Sequence, residues 1–347
     1  MRPRTRALLL PLLLALLLAT AACGSGTPQG QRKQGPEFIY ITDAPIGVNQ
    51  FLELGKTGTG GAAAALGGTS RTFESNDTDQ SRRTNIEAAV AAWPKAIVLI
   101  TFEFDDLSVE YAEAHPRQQF VLIDSCPDGE IPANLRCGVF KEYEASYLLG
   151  VEAGLLTRSG RIGTVAAIDI PFFHRWSDSF ALGARSVNPK LTDQQLFVGG
   201  DNPVGDPARA KELALTITQS GADQVFAVTG GGNGGVFEAA KESGALAYGV
   251  DVDQCPQAPG SIVDNAIKRI DVVVKDLLTA VVQGKAGGTS TAYGLAENGS
   301  TVTSLTDGAA SGQCVIMKHP DILERVRQAR DKIVSGEIVV PDPVRAG

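Results

Sequence analysis

Short apolar, β-branched runs recur along this chain at 38–42, 96–101, 120–124, 161–168, 224–228 and 247–251. Between them, apolar positions repeat with helical spacing over 85–93, 106–114, 142–156, 173–187, 207–220, 236–243 and 267–283. An unbroken apolar run suits a strand buried on both faces, and strands alternating with helices make parallel sheets covered on each side. The alternation occurs twice, before and after about residue 141, which predicts an α/β fold of two doubly wound lobes. The stretch 55–70, rich in glycine and alanine, reads as a loosely specified helix and loop. It is not a phosphate-binding loop, because Gln50 stands where that loop needs a glycine.

Ligands of doubly wound sheets bind outside the carboxyl ends of the strands, and those ends carry chemistry here. Asp43 follows the first run, Thr101, Phe102 and Glu103 the second, and Asp124 closes the third. Asp169 follows the fourth, the glycine-rich stretch 229–235 the fifth, and Asp251 and Asp253 the last. Helix capping accounts for some of these acids. The whole set predicts a cleft lined by carboxylates, glycines and aromatic rings. Phe172, Phe173 and Trp176, just after Pro171, divide between core packing and a surface for stacking on a planar ligand.

One of these ends carries a dinucleotide fingerprint: Gly230, Gly232 and Gly235 after an apolar run, with Asp251 21 residues beyond Gly230. The amino terminus argues against that ligand. Arg2, Arg4 and Arg6 precede a Leu/Ala-rich run at 7–18, and small residues at 19–22 lead to Cys23. This is the pattern of a secretory signal peptide over 1–22, too short in its apolar part to span a bilayer comfortably. Arg2 and Arg4 are not adjacent, so export in the unfolded state is expected, away from cytoplasmic NAD. No cofactor and no metal are expected, and an exported NAD-dependent oxidoreductase is the weaker alternative.

The balance of charge narrows the partners. Asp and Glu number 39 against 31 Lys and Arg, a formal charge of −8, and the leader removes three of the arginines. So acidic a chain is a poor partner for nucleic acid. The histidines, His115, His174 and His319, belong to no hydrolase or metalloprotease motif, and no enzyme activity is expected. Besides Cys23 there are Cys126, Cys137, Cys255 and Cys314, an even number in an oxidising compartment. Three pairings are open. The loop-like "CPDGEIPANLRC" favours 126–137, which leaves 255–314.

Longer motifs carry a resemblance. "NLRCGVFKEYEASYLLGVEAGLLTRSGRIGTVAAIDIPFFHRWSDSFALGARSVNP" (134–189), "GDPARAKELALTITQSGADQVFAVTGGGNGGVFEAAKESGALAYGVDVDQ" (205–254) and "ILERVRQARDKIVSGEIVVP" (322–341) resemble the basic membrane protein family. Members are substrate-binding lipoproteins of ABC importers, and those characterised bind purine nucleosides. The resemblance implies a type I periplasmic-binding-protein fold with a hinge of three crossover strands and one ligand in the cleft. Lobe 1 is expected to comprise 37–140 plus about 261–300, and lobe 2 141–260 plus about 301–347. It also implies a monomer that serves an ABC permease and is anchored through lipid on Cys23. Residues 23–36 would form its tether on the outer face of the cell membrane. A sensor docking on a membrane receptor is the alternative.

Carried over residue by residue, the resemblance points to Asp43, Asn49, Phe102, Asp124, Gly230, Gly231, Gly232, Asp251 and Lys268 as ligand-binding residues. Phe173 and Trp176 join them as aromatic walls. Two features depart from the family: the loop between Asp43 and Asn49 is short, with Val48 where the family has Phe, and "VGGDNPVGDP" (198–207) lacks the Phe that the family has before its Asn-Asp-Pro. Both imply an altered base end of the pocket.

Overall fold

A computed structural model describes residues 35–47, 49–309 and 313–343. The expected signal peptide, Cys23, most of the expected tether and Val48 lie outside them.

The first sheet is built from β1 (Glu37–Thr42), β2 (Thr69–Glu74), β3 (Ala96–Ile100), β4 (Phe120–Ile123), β5 (Leu135–Phe140) and β11 (Thr289–Tyr293). Its order is β11-β5-β4-β3-β1-β2, parallel throughout. The two middle strands, β3 and β4, are apolar at every position because both faces are covered. Phe38, Tyr40, Val98, Ile100 and Val121 pack with α1 (Gln50–Ala65) and α8 (Ile270–Val282). Ile39, Ile41, Leu99 and Leu122 face the other way, into a core with α2 (Asp79–Ala92) and α3 (Asp105–Ala114).

The second sheet has the order β12-β10-β9-β8-β6-β7. Its strands are β6 (Arg161–Ala166), β7 (Thr192–Phe197), β8 (Gln224–Val228), β9 (Leu246–Asp251), β10 (Ile262–Lys268) and β12 (Ser300–Val302). β12 pairs antiparallel to β10; the other pairings are parallel. Around it lie α4 (Glu142–Leu156), α5 (Pro171–Val187), α6 (Pro207–Gln219), α7 (Asn233–Ser243) and α9 (Pro320–Val334).

Among the described residues the chain passes between the lobes three times, after β5, after β10 and after β11. The expected boundary near 261 falls too early. β10 hydrogen-bonds with β9 and β12, so it belongs to the second sheet, and the crossing comes at 269. For the same reason the expected helix over 267–283 loses its first turn: Ile267 and Lys268 complete a strand, and α8 starts at Ile270. The stretch 55–70 is likewise more regular than expected. α1 runs to Ala65, with Asn49 capping its first turn, and β2 begins at Thr69.

Candidate ligand-binding site

The carboxyl ends of the two sheets open on one cavity, about 650 Å³ of space between atoms, part of it continuous with solvent. Lobe 1 contributes Asp43, Asn49, Phe51, Thr101, Phe102, Glu103 and Asp124; lobe 2 contributes Phe172, Phe173, Trp176, Val204, Val228, Gly230, Val250, Asp251 and Lys268.

Three of these residues hold backbone conformations that side chains disfavour. Thr101, Asp124 and Asp251, at the ends of β3, β4 and β9, have φ of 82°, 74° and 70°. Thr101 also has ψ of 161°, a region populated almost only by glycine. Each kink turns the chain where the strand stops.

Lys268 forms the floor. Its Nζ lies 2.5 Å from Asp124 Oδ1 and 3.7 Å from Glu142 Oε1. Four rings surround the ammonium, those of Phe51 (4.9 Å to the centroid), Trp176 (5.1 Å), Phe140 (5.4 Å) and Phe172 (5.4 Å). Burial on its own would lower the lysine pKa. Asp124, Glu142 and Asp251 outweigh it and hold the group above its ordinary value.

One ammonium faces three buried carboxylates, so acid is in excess. Burial raises Asp124 in spite of Lys268. It pushes Glu142 to about 7 and Asp251 to about 6, with Asp124 adding to both. Across the cavity, burial followed by the neighbouring Glu103 brings Asp43 to about 7, and Glu103 itself is raised by burial.

The fingerprint glycines form a tight turn. Residues 230–232 make one 3-10 turn leading into α7. Asn233 accepts from Thr229 N at 2.8 Å and donates to Gln254 Oε1 at 3.1 Å, and Gln254 accepts from Val250 N at 3.1 Å. This buried amide pair fixes the ends of β8 and β9 relative to each other. At Gly230 a side chain would press on the Val204 carbonyl, so glycine keeps the turn close to that loop.

Two contacts join the lobes across the mouth. Phe102 meets Phe172 at 5.9 Å between centroids, and Gln257 Nε2 donates to Gln50 Oε1 at 3.1 Å.

A family model described as "ABC transporter substrate-binding protein PnrA-like" matches residues 61–343. The chain belongs to that PnrA-like family. Asp43, Asn49 and Phe51 precede the matched stretch. Among relatives, a "CD4+ T-cell-stimulating antigen" of Listeria innocua is 28% identical over 99% of both chains. The "ABC transporter nucleoside-binding protein BmpA" of Lactococcus lactis is 28% identical over 94% of this chain and 96% of that one. An uncharacterized lipoprotein of Pyrococcus horikoshii is 32% identical over 69% of this chain and 63% of its own length. An ABC transporter solute-binding protein from Aeropyrum pernix has the same fold, with TM-score 0.74 and 24% identity over 88% of this chain and 94% of that one. The fold is that of type I periplasmic binding proteins, and the matched family, the Lactococcus relative and the Aeropyrum structure are described as substrate-, nucleoside- and solute-binding proteins of ABC transporters.

Most sequence-predicted residues come together. Asp43, Asn49, Phe102, Asp124, Phe173, Trp176, Gly230, Asp251 and Lys268 line the cavity. Gly231 lines its outer extension with Gln50, Asn233 and Gln257. Gly232 lines neither; it is buried against Thr229, whose side chain a Cβ would strike. Asn49 is in part structural, since its Oδ1 accepts from the backbone of Phe51 and Leu52.

Phe51, Val204, Val228 and Val250 line the cavity but were not foreseen, and Glu142 stands behind Lys268. A helix-start signal at Asn49 would have placed Phe51 in the first turn of α1. Nothing local to the sequence marks Glu142, which meets Lys268 only through the crossing of two hinge segments. His174, on α5, pairs with Asp169 at 2.8 Å and is not among the residues that line the cavity. Cys126 and Cys137 have Cα atoms 5.3 Å apart, and Cys255 and Cys314 5.0 Å, both at bridging distance.

Proposed function

We propose that this protein is the extracytoplasmic solute-binding lipoprotein of an ABC importer, and that its solute is a purine nucleoside handed to a permease. The observation that carries this is the cavity between the lobes, lined by aromatic rings and by carboxylates from both sheets. An anion entering it would meet Asp43, Glu103, Asp124 and Asp251, while the lysine of the cavity is already held by Asp124. A neutral molecule rich in N–H and O–H donors suits such a site, and a planar base suits the rings. The name of the Lactococcus relative supports a nucleoside.

In this reading Asp251 holds the sugar hydroxyls, with Lys268 and Asp124 beside it. Phe102, Phe173 and Trp176 with Phe51 and Phe172 flank the base, and Asp43 and Asn49 take its edge. Gly230 and Gly231 let the backbone approach. Lipid on Cys23 anchors the chain, disulfides close 126–137 and 255–314, and the protein acts as a monomer.

Titration calorimetry with guanosine, inosine, adenosine and their 5′-monophosphates tests the reading. The nucleosides bind, the monophosphates bind far more weakly, and Asp251→Ala costs about 2 kcal/mol through lost hydrogen bonds to a charged acceptor. A monophosphate that binds as tightly as its nucleoside would refute it.

A further inference from the structure

The acids of the cavity fall into two groups. Asp124, Glu142 and Asp251 interact with Lys268. Asp43 and Glu103 stand apart from it: the charged groups that face them are each other, Asp77 and Arg82, with Tyr40 and Asp105 also close. Arg82 is engaged elsewhere, donating to the backbone carbonyl of Asp43 at 3.3 Å and lying 3.6 Å from Asp77. Asp43 Oδ1 and Glu103 Oε2 are both buried and accept no hydrogen bond from the protein. One oxygen of each carboxylate therefore stands in the wall of an aromatic cavity without a hydrogen bond, although the Thr101 hydroxyl lies close to Glu103 and Arg82 near both groups. A ligand that brings donors to both relieves the cost of their desolvation; one that brings a single donor leaves an oxygen stranded.

We propose that Asp43 and Glu103 select the base, taking an edge with two adjacent N–H donors, as the N1–H and 2-amino groups of guanine present. Inosine has the N1–H without the amino group, and adenosine sets an amino group beside an acceptor nitrogen. Each leaves one carboxylate oxygen unmatched. The inference rests on the nucleoside reading of the cavity and adds the role of Glu103, which lies next to Phe102 at the end of β3. It also links binding to protons. Donors favour the ionised carboxylates, and burial holds Asp43 near about 7 before the ligand arrives. Guanosine binding therefore expels a proton and tightens as pH rises through neutrality.

Calorimetry with guanosine, inosine and adenosine at about pH 6 and about pH 8, in buffers of differing ionisation heat, gives the test. Guanosine is expected to bind at least about tenfold tighter than inosine at the higher pH, with a smaller margin and net proton release at the lower. Glu103→Gln should remove most of that margin, and an unchanged circular-dichroism spectrum shows that the variant is folded. Inosine binding as tightly as guanosine, or a margin unchanged in both Glu103→Gln and Asp43→Asn, overturns the assignment of the base edge and leaves the nucleoside reading standing. Failure of all three nucleosides to bind overturns both.

Discussion

Thr101 illustrates how much a single position gives up for the shape of the cavity. Its φ of 82° with ψ of 161° costs on the order of 1–3 kcal/mol in any residue with a Cβ. The conformation persists because its N–H bonds to the Ile123 carbonyl at 3.0 Å, between buried strands. Thr101→Gly is therefore expected to raise the stability of the protein by about 1 kcal/mol in urea denaturation. A loss of stability would show that the side chain holds the strand end in place. The buried acids make a second prediction. Asp43 and Glu142 titrate near about 7, Asp251 and Asp264 near about 6, all raised first by burial. Carboxyls in the unfolded chain titrate near ~4, so the folded state holds these protons more tightly. The stability they give is complete below about pH 4 and drains away as pH rises toward about 7. Lys268 is raised too, but its contribution is lost only at alkaline pH, outside this window. Melting temperature should fall between about pH 5 and about pH 8, and Glu142→Gln should flatten the slope. A melting temperature that rises over that range would contradict the burial argument.

At the scale of elements, α4 and α5 pack with almost no space between their backbones. A Cβ on Gly150 would run into the Phe180 carbonyl, and one on Gly183 into the Tyr147 carbonyl. Neither obstacle is a side chain able to rotate away. Gly150→Val and Gly183→Val should each destabilise by about 3 kcal/mol or prevent folding, as chemical denaturation or soluble yield will show. A tolerated valine at both positions would mean that the helices are free to move apart. The sulfur pairs belong to this scale as well. Cys255 lies in the turn after β9, and Cys314 immediately precedes a 3-10 turn that leads toward α9. Oxidised protein denatured without reductant should expose no free thiol, and replacing the second pair with serine should cost about 2–5 kcal/mol. Detection of free thiols would show that the cysteines stay reduced. The pattern of element recognition has a physical origin. Most of the central strands were legible because burial on both faces makes them largely apolar; β5 was not, since its buried Arg136 and Gly138 interrupt the run. The edge strands β2, β7, β11 and β12 were not: TSRTFE and TDQQLF have few fully buried positions and little apolar signal. β10 was hidden differently. Its Asp264, Asn265 and Lys268 are buried but polar, and they break the apolar run.

Taken whole, the molecule is two sheets whose carboxyl ends share one cavity, and this much followed from where the acids and glycines fall along the chain. What sequence alone left hidden was whatever depends on crossings between the lobes. Asp124 of lobe 1, Lys268 at the end of β10 and Glu142 at the start of α4 meet only because two hinge segments run side by side. Arg175 on α5 extends the chain of charges, 3.9 Å from Glu142, and forms two hydrogen bonds with Asp342 near the carboxyl end. The mouth of the cavity has a further consequence, one of timing. Phe102 against Phe172 and Gln257 against Gln50 are contacts that a departing solute must wait to see broken. Residence time is then governed by the rate at which the lobes part, and not only by the grip of the cavity walls. Gln257→Ala, which removes one tie and does not line the main cavity, should shorten the lifetime of the complex in stopped-flow release while leaving the order of preference among solutes unchanged. An unaltered release rate would place the slow step elsewhere.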